Sequence, residues 1–269
     1  MTHQSPTLDG EAPVIAAFTN LDEAEAVIAW CGAFARPLNR PVKLAYILDP
    51  GSVRDPVPVA SAIAHDMLML LTTDDRLAGL AVSTTVEAGL ADEELPRLAN
   101  EHPEALLLMA SSEHATAVPA ILRGGDAGAG VKSLTSAIAI VPPKSPAPPA
   151  ISRVVIGTDR SELSDSILER ARVLAEGLAV QILTVEAVEP GSASIPDFLA
   201  TSPTIGESHV ILRGRAGATL LAVARARGAE VIIVGSTGRG RMARVFLGST
   251  AQWLARHSDR PVVFVPRVP

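Results

Sequence analysis

Near the C-terminus the sequence runs Val231-Ile232-Ile233-Val234-Gly235-Ser236-Thr237-Gly238 and, after nine further residues, Gly248-Ser249-Thr250. An apolar run ends on one glycine, and a second glycine follows three residues later. A third stands directly before a hydroxyl residue that opens an amphipathic segment. The backbone N–H groups of a glycine-rich turn and of a helix N-terminus can face one anion between them. At Gly235, Gly238 and Gly248 no Cβ intrudes, so the backbone can approach a sugar or phosphate. Ser249 reads as the helix N-cap, with Gln252 completing a capping box. Its oxygen can accept from the helix backbone while its O–H donates to a phosphate. Arg239, Arg241 and Arg244 lie inside the spacer and carry the planar fork that suits phosphate. The spacing predicts a nucleotide ligand.

Such a cradle needs a strand before it and a helix after it, and the surrounding pattern supplies both. The apolar run 231–234 reads as a strand and 249–257 as a helix, followed by a strand over 261–265. Upstream, 154–159 is a buried strand running into a turn. A helix follows over 161–176, with Leu163, Ile167, Leu168, Ala171, Leu174 and Ala175 on one face. Strands are expected at 180–188 and 209–212, separated by a polar loop at 190–208. A helix over 216–227 is closed by Gly228.

The first half gives a parallel series. Strands are expected at 14–18, 42–48, 80–86, 105–109 and 137–141, with helices from Leu21 to about Phe34, at 60–71 and at 92–100. Alternating strands and helices imply parallel sheets with right-handed crossovers. Between the halves, Pro142 to Ala150 contains five prolines in nine residues and reads as a stiff linker. The expected organisation is an α/β domain over 1–143, a linker over 144–150 and a second α/β domain over 151–269. Each domain would be a doubly wound, five-stranded parallel sheet of order 3-2-1-4-5 flanked by helices. In that order the winding reverses between strands one and four, where ligands bind. In the second half these strands end at Gly157-Thr158-Asp159 and at Gly235. Asp159 is either the cap of the next helix, with Glu162 three residues on, or a partner for a base or ribose. The nearby glycine loop favours the ligand role.

These residues resemble the universal stress protein family. Gly235, Gly238, Gly248 and Ser249 match its nucleotide-binding pattern Gly-x2-Gly-x9-Gly-Ser/Thr without a gap. Gly157-Thr158-Asp159 looks like the family's adenine-side loop, and Val185 matches a position that lines the adenine pocket. The resemblance implies ATP or another adenine nucleotide, with magnesium as an accompanying ion. The implied contacts are Gly157, Thr158, Asp159, Val185, Val234, Gly235, Ser236, Gly238, Arg239, Gly248, Ser249 and Thr250. It also implies a dimeric domain tied to stress or dormancy responses rather than to a defined reaction. The first half is similar only in outline. It reads Ala110-Ser111-Ser112-Glu113 at the first glycine pair, Arg123-Gly124-Gly125-Asp126 near the third, and Phe18-Thr19-Asn20 at the end of its first strand. Glu113 places a negative charge where phosphate would approach. One nucleotide site is therefore expected, in the second half, with the final strands of the two halves pairing as a pseudo-dimer. A homodimer is the further association considered.

Bulk properties narrow the partners. The 269 residues carry a net charge of −6, split as 9 basic against 18 acidic residues over 1–150 and 14 against 11 over 151–269. An acidic chain is a poor general partner for nucleic acid. No run of apolar residues is long enough to span a membrane. The single cysteine, Cys31, and the absence of a signal-like N-terminus point to a reduced, cytoplasmic protein. There is no P-loop, no Gly-x-Gly-x2-Gly and no Gly-x-Ser-x-Gly elbow. The six histidines show no metal-ligand spacing. The leading expectation is a nucleotide-binding regulatory protein in which ATP alters the 238–247 segment and a partner surface. The alternatives are a slow nucleotide-hydrolysing or phosphotransfer enzyme working through Asp159, and a ligand-free interaction protein.

Overall fold

The computed structural model describes residues 12–102, 104–110, 136–158, 162–188, 207–235 and 248–266. The chain divides into two compact units, Met1–Ala147 and Pro148–Pro269.

The first unit comprises β1 (Val14–Phe18), α1 (Leu21–Leu38), β2 (Val42–Leu48), α2 (Val57–Leu71), β3 (Val82–Ala88), α3 (Ala91–Glu101), β4 (Leu106–Ala110) and β5 (Ala137–Val141). Its strand order is β3-β2-β1-β4-β5, with all neighbours parallel. β1 and β4 are buried along their whole length, as expected for strands covered on both faces. α1 starts where the Asn20 side chain accepts from Glu23 N at 3.0 Å, a cap worth about 1 kcal/mol. Its inner face buries Val27, Ile28, Cys31 and Phe34. Burial pushes the Cys31 thiol far above its ordinary range, in keeping with a small core residue. Trp30 Nε1 donates to Ser145 O at 3.0 Å. That bond ties the start of the proline-rich segment to the first unit.

The second unit comprises β6 (Arg153–Thr158), α4 (Glu162–Gly177), β7 (Gln181–Val188), β8 (Glu207–Arg213), α5 (Ala216–Arg227), β9 (Val231–Gly235), α6 (Ser249–His257) and β10 (Val262–Val265). The order is β10-β9-β6-β7-β8, again all parallel. Counted in chain order within each unit, both sheets are 3-2-1-4-5. α5 ends at Gly228, whose φ of 64° lies in the left-handed region that a Cβ disfavours. At the amino ends of the strands, Arg153 N donates to Glu230 Oε2 at 2.8 Å and joins β6 to the residue before β9.

Two strands start two residues away from the sequence expectation, and both are third strands; β4, β6, β7, β9 and β10 differ by one residue at one end or both. β3 begins at Val82 rather than residue 80, because Leu80 N closes a turn onto Leu77 O at 3.0 Å. β8 begins at Glu207, which lies opposite Ile182, so two polar residues assigned to a loop join the sheet. An edge strand has one neighbour and needs little apolar surface, so its polar ends read as loop. α2 also begins three residues early, at Val57, with proline in its first turn.

Candidate functional site

β6 and β9 lie side by side, with Val154, Val155 and Ile156 opposite Val231, Ile232 and Ile233. β7 flanks β6 on the other side and places Val185 opposite Gly157 and Glu186 opposite Thr158. The chain leaves β6 toward β7 and β8, then returns to β9 across β6, so the carboxyl ends of β6 and β9 flank the reversal point. Val185, Gly157 and Val234 form one row across the sheet. Val185 is fully buried and Val234 nearly so. A Cβ on Gly157 would stand 2.8 Å from Leu220 Cδ1 and 3.1 Å from Val234 Cγ1. Gly157 therefore lets α5 close onto the sheet beneath the crevice, a packing reason beside any contact with ligand.

α6 leads into β10, which is parallel to β9 with Val265 opposite Gly235. A helix in that position runs against the strands, so its N-terminus stands at their carboxyl ends. Here the structure corrects the expected capping box. The N-cap is Gly248, in an extended conformation (φ −58°, ψ 152°) with no side-chain cap bond. Its carbonyl accepts from Gln252 N at 2.9 Å. Because Gly248 already supplies the first acceptor, Ser249 is the first residue inside the helix and Gln252 lies one position beyond capping-box reach. Ser249 is exposed and Thr250 half-buried. The amides of Ser249, Thr250 and Ala251 have no intrahelical acceptor by position, and they lie at the positive end of the helix dipole. The helix is anchored by Ala251 and Leu254, both buried. Trp253 covers Gly217 of α5, its ring 2.6 Å from where a Cβ would stand.

Sequence reasoning missed the polar face of β7. Thr184 is buried and Glu186 lies two residues on, both alternating with Val185 and hence on the opposite face of the sheet. His209 Nε2 of β8 stands 3.8 Å from Glu186 Oε2, with side chains 20% and 14% exposed. A Thr-x-Glu within an otherwise apolar strand was the available signal.

The first unit closes the corresponding edge with its own side chains. Matching the registers of β1 and β6 sets Phe18 against Thr158, Tyr46 against Glu186 and Ala17 against Gly157. Phe18 and Tyr46 meet edge to face with centroids 6.0 Å apart. Glu23, 7% exposed, accepts from Thr19 N at 3.1 Å and from Thr19 Oγ1 at 3.0 Å through one carboxylate oxygen. Burial, and then the Glu23 carboxylate, raise the Tyr46 phenol above its ordinary pKa.

Of the expected contacts, the structure brings together Gly157, Thr158, Val185, Val234 and Gly235 on adjacent strand ends, and sets Gly248, Ser249 and Thr250 at the start of α6. Asp159, Ser236, Gly238 and Arg239 lie outside the described residues, as do Arg241, Arg244 and the first-unit stretches 111–113 and 123–126. Among the described residues no group of three or more His, Cys, Asp or Glu could hold a metal ion. No described helix is long and apolar enough to cross a membrane.

Residues 197–266 match the model of the Universal stress protein family. Among solved structures, a universal stress protein from Archaeoglobus fulgidus DSM 4304 is similar over 95% of this chain and 96% of its own, at TM-score 0.69 and 16% identity. A putative universal stress protein from Pseudomonas aeruginosa UCBPP-PA14 covers 95% of this chain and 93% of its own, at TM-score 0.65 and 13% identity. A functionally unknown protein from Pseudomonas aeruginosa PAO1 covers 95% and 92%, at TM-score 0.63 and 13% identity. No curated protein matches the chain by sequence. Residues 197–266 are thus similar to the Universal stress protein family model, on a chain that has the fold of solved structures of comparable length.

Proposed function

We propose that the C-terminal unit binds an adenine nucleotide, ATP first among them, at the carboxyl ends of β6 and β9, and that the protein is a regulatory binding protein of a stress response. The observation that carries this reading is the first turn of α6. It opens on a glycine without a capping side chain, and it starts at the same edge of the sheet as Gly157-Thr158 and Gly235. The amides of Ser249, Thr250 and Ala251 and the exposed Ser249 hydroxyl make a donor set that fits phosphate oxygens. The base and ribose would lie toward β6 and β7, against Thr158, Asp159 and Val185. Ser236, Gly238 and Arg239 would meet the phosphates from the segment after β9. A triphosphate would bring magnesium with it, bound chiefly through its own oxygens. The first unit, with Phe18, Tyr46 and Glu23 at the matching edge, would bind none.

Calorimetric titration with ATP, ADP, AMP and cyclic AMP tests this. One site per chain is expected, with a ligand-dependent rise in melting temperature. Two sites per chain, or no binding of any of the four, would overturn it. Gly248→Val should weaken binding by about tenfold or more, equivalent to about 1.4 kcal/mol. Melting without ligand should fall only modestly: φ of −58° is open to any residue, but valine is a poorer N-cap than glycine, by about 1 kcal/mol.

A further inference from the structure

Lys43 and His102 stand side by side in the first unit, away from the carboxyl edge described above. Lys43 is the second residue of β2, and α3, which packs on β2, delivers His102 directly after its last residue. Lys43 Nζ lies 2.8 Å from His102 Nε2. An ammonium has donors only, so Nε2 is the acceptor and the ring proton sits on Nδ1. Burial, and then the Lys43 charge, hold His102 below its ordinary pKa against the opposing effect of Glu101. The imidazole is therefore uncharged in neutral solution. The His102 carbonyl accepts from Ser136 Oγ at 2.9 Å and from Ala105 N at 3.1 Å. The backbone that carries the ring is thus held by two bonds. Lys43 and His102 are both half-buried, and neither is sealed from solvent.

A lysine that serves stability pairs with a carboxylate. Among the described residues Lys43 is paired with none, and Glu101, the acid next to His102, is bonded to Arg97. What Lys43 has instead is a proton acceptor at the distance general-base catalysis requires. A nucleophile beside a base, with the base itself held in place, is the arrangement of an activated nucleophile. The amine selects the reaction class. Attack on an acyl group leaves the nitrogen cationic and acidic, and the adduct reverts unless a base takes the proton. We propose that Lys43 is an acylation site of this chain, with His102 as the base and an activated acyl group, an acyl phosphate or an acyl thioester, as the donor. Lys43 first loses one proton to water. The amine lone pair forms the C–N bond, and the extra proton on nitrogen passes to His102 Nε2. The C–O or C–S bond then breaks, its electron pair leaves with phosphate or thiolate, and His102 returns its proton to solvent. The product is an amide, so position 43 loses its charge. The proposal does not depend on nucleotide binding.

The chain carries its own control. Of its three lysines, Lys144 is exposed, and Lys132 lies outside the described residues. The full-length protein is incubated with acetyl phosphate or, separately, with acetyl-CoA, and acetylation at each lysine is followed by peptide mass spectrometry. Lys43 should react about tenfold faster than Lys144, or more. His102→Gln keeps an acceptor oxygen but takes no proton, and should bring Lys43 to within about twofold of Lys144. In the parent, the ratio of the two rates should fall as acid protonates His102, below the ordinary histidine value of about 6.5. That profile decides the matter even if the variant fails to fold. Preference for Lys43 with one donor alone supports the proposal and identifies the donor class. Equal rates at Lys43 and Lys144 with both donors overturn it. So does a preference that survives His102→Gln, or one that stays constant between about pH 5 and about pH 8.

Discussion

The carboxyl edges of the two sheets share a strand order and a register but carry opposite chemistry. In the first unit, the positions that end the first two strands hold Phe18 and Tyr46, ring against ring, with the Glu23 carboxylate folded back onto Thr19. In the second unit the same register positions hold Thr158 and Glu186. α1 has one of its N-terminal donors, Glu23 N, answered from within, by Asn20. α6 begins on Gly248, which offers no side chain to its own helix. The lesson is that a reversal point in the winding is only an opportunity. One unit fills it with aromatic surface and an internal carboxylate, and so gains stability. The other starts a helix whose first amides have no acceptor within the helix or from its cap side chain, an arrangement that makes energetic sense where an anion completes it.

The comparison breaks most visibly if the filled edge can be emptied at no cost. Phe18→Thr, which installs the residue type of position 158, should destabilise the first unit by about 3–5 kcal/mol, because a 2% exposed ring is lost. Urea denaturation measures this, and a loss under about 1 kcal/mol would mean the ring is not a structural plug. Glu23→Ala comes next. Two hydrogen bonds onto a charged acceptor disappear, for a loss of about 2–3 kcal/mol. One of the two causes that raise the Tyr46 phenol goes with them, so its absorbance titration should move down toward the ordinary tyrosine value.

Gly157→Val probes the open edge from beneath. The new side chain would press Leu220 and Val234 and cost the second unit about 1–3 kcal/mol. The reverse exchange at the matching position, Ala17→Gly, should cost the first unit about 0.5–1 kcal/mol or somewhat more, as a buried strand position loses its side chain. Smallest is the effect of acid on the ion pairs. The Arg76 side chain, bonded to Asp74, holds that carboxyl below its ordinary value against the opposing effect of burial. A depressed folded pKa gives stability that is present above the unfolded value of about 3.9 and lost as pH falls through the folded one. Asp74→Asn should therefore cost at most about 1 kcal/mol at neutral pH, and the difference from the parent should vanish in acid. Asp259 in the second unit, held low first by Arg260, should follow the same sign more weakly, since its side chain is 46% exposed.

Much of this was legible in the sequence where a segment is apolar on a fixed period. β1, β2, β5, α5 and α6 fall on their expected bounds to the residue, because the apolar runs of the strands stop sharply and a glycine flanks each helix, Gly228 after α5 and Gly248 before α6. The third strands were displaced, since an edge strand tolerates polar ends. The glycine spacing pointed to the start of α6, but the choice between Gly248 and Ser249 as cap turned on one carbonyl that composition does not reveal. Gly157 read as an opening toward ligand, and it also proves to be a landing place for Leu220, a residue 63 positions later. Glu23 carries no signal of its own in the sequence. That it closes an edge follows only from Thr19 and Tyr46 being brought beside it. What the sequence withheld was the identity of neighbours across the sheet.

The chain contains two tryptophans. Trp30 is buried in α1 and bonded to Ser145 in the first unit, while Trp253 sits in α6 of the second, stacked on His257 with centroids 4.4 Å apart. Each unit thus carries one fluorophore of its own, in different surroundings. Replacing either with phenylalanine leaves a tryptophan emission signal that belongs to a single unit, so a pair of variants follows the unfolding of each unit separately. Trp253 lies on the helix whose first turn begins at Gly248. Its emission is therefore a built-in optical reporter for whatever settles there.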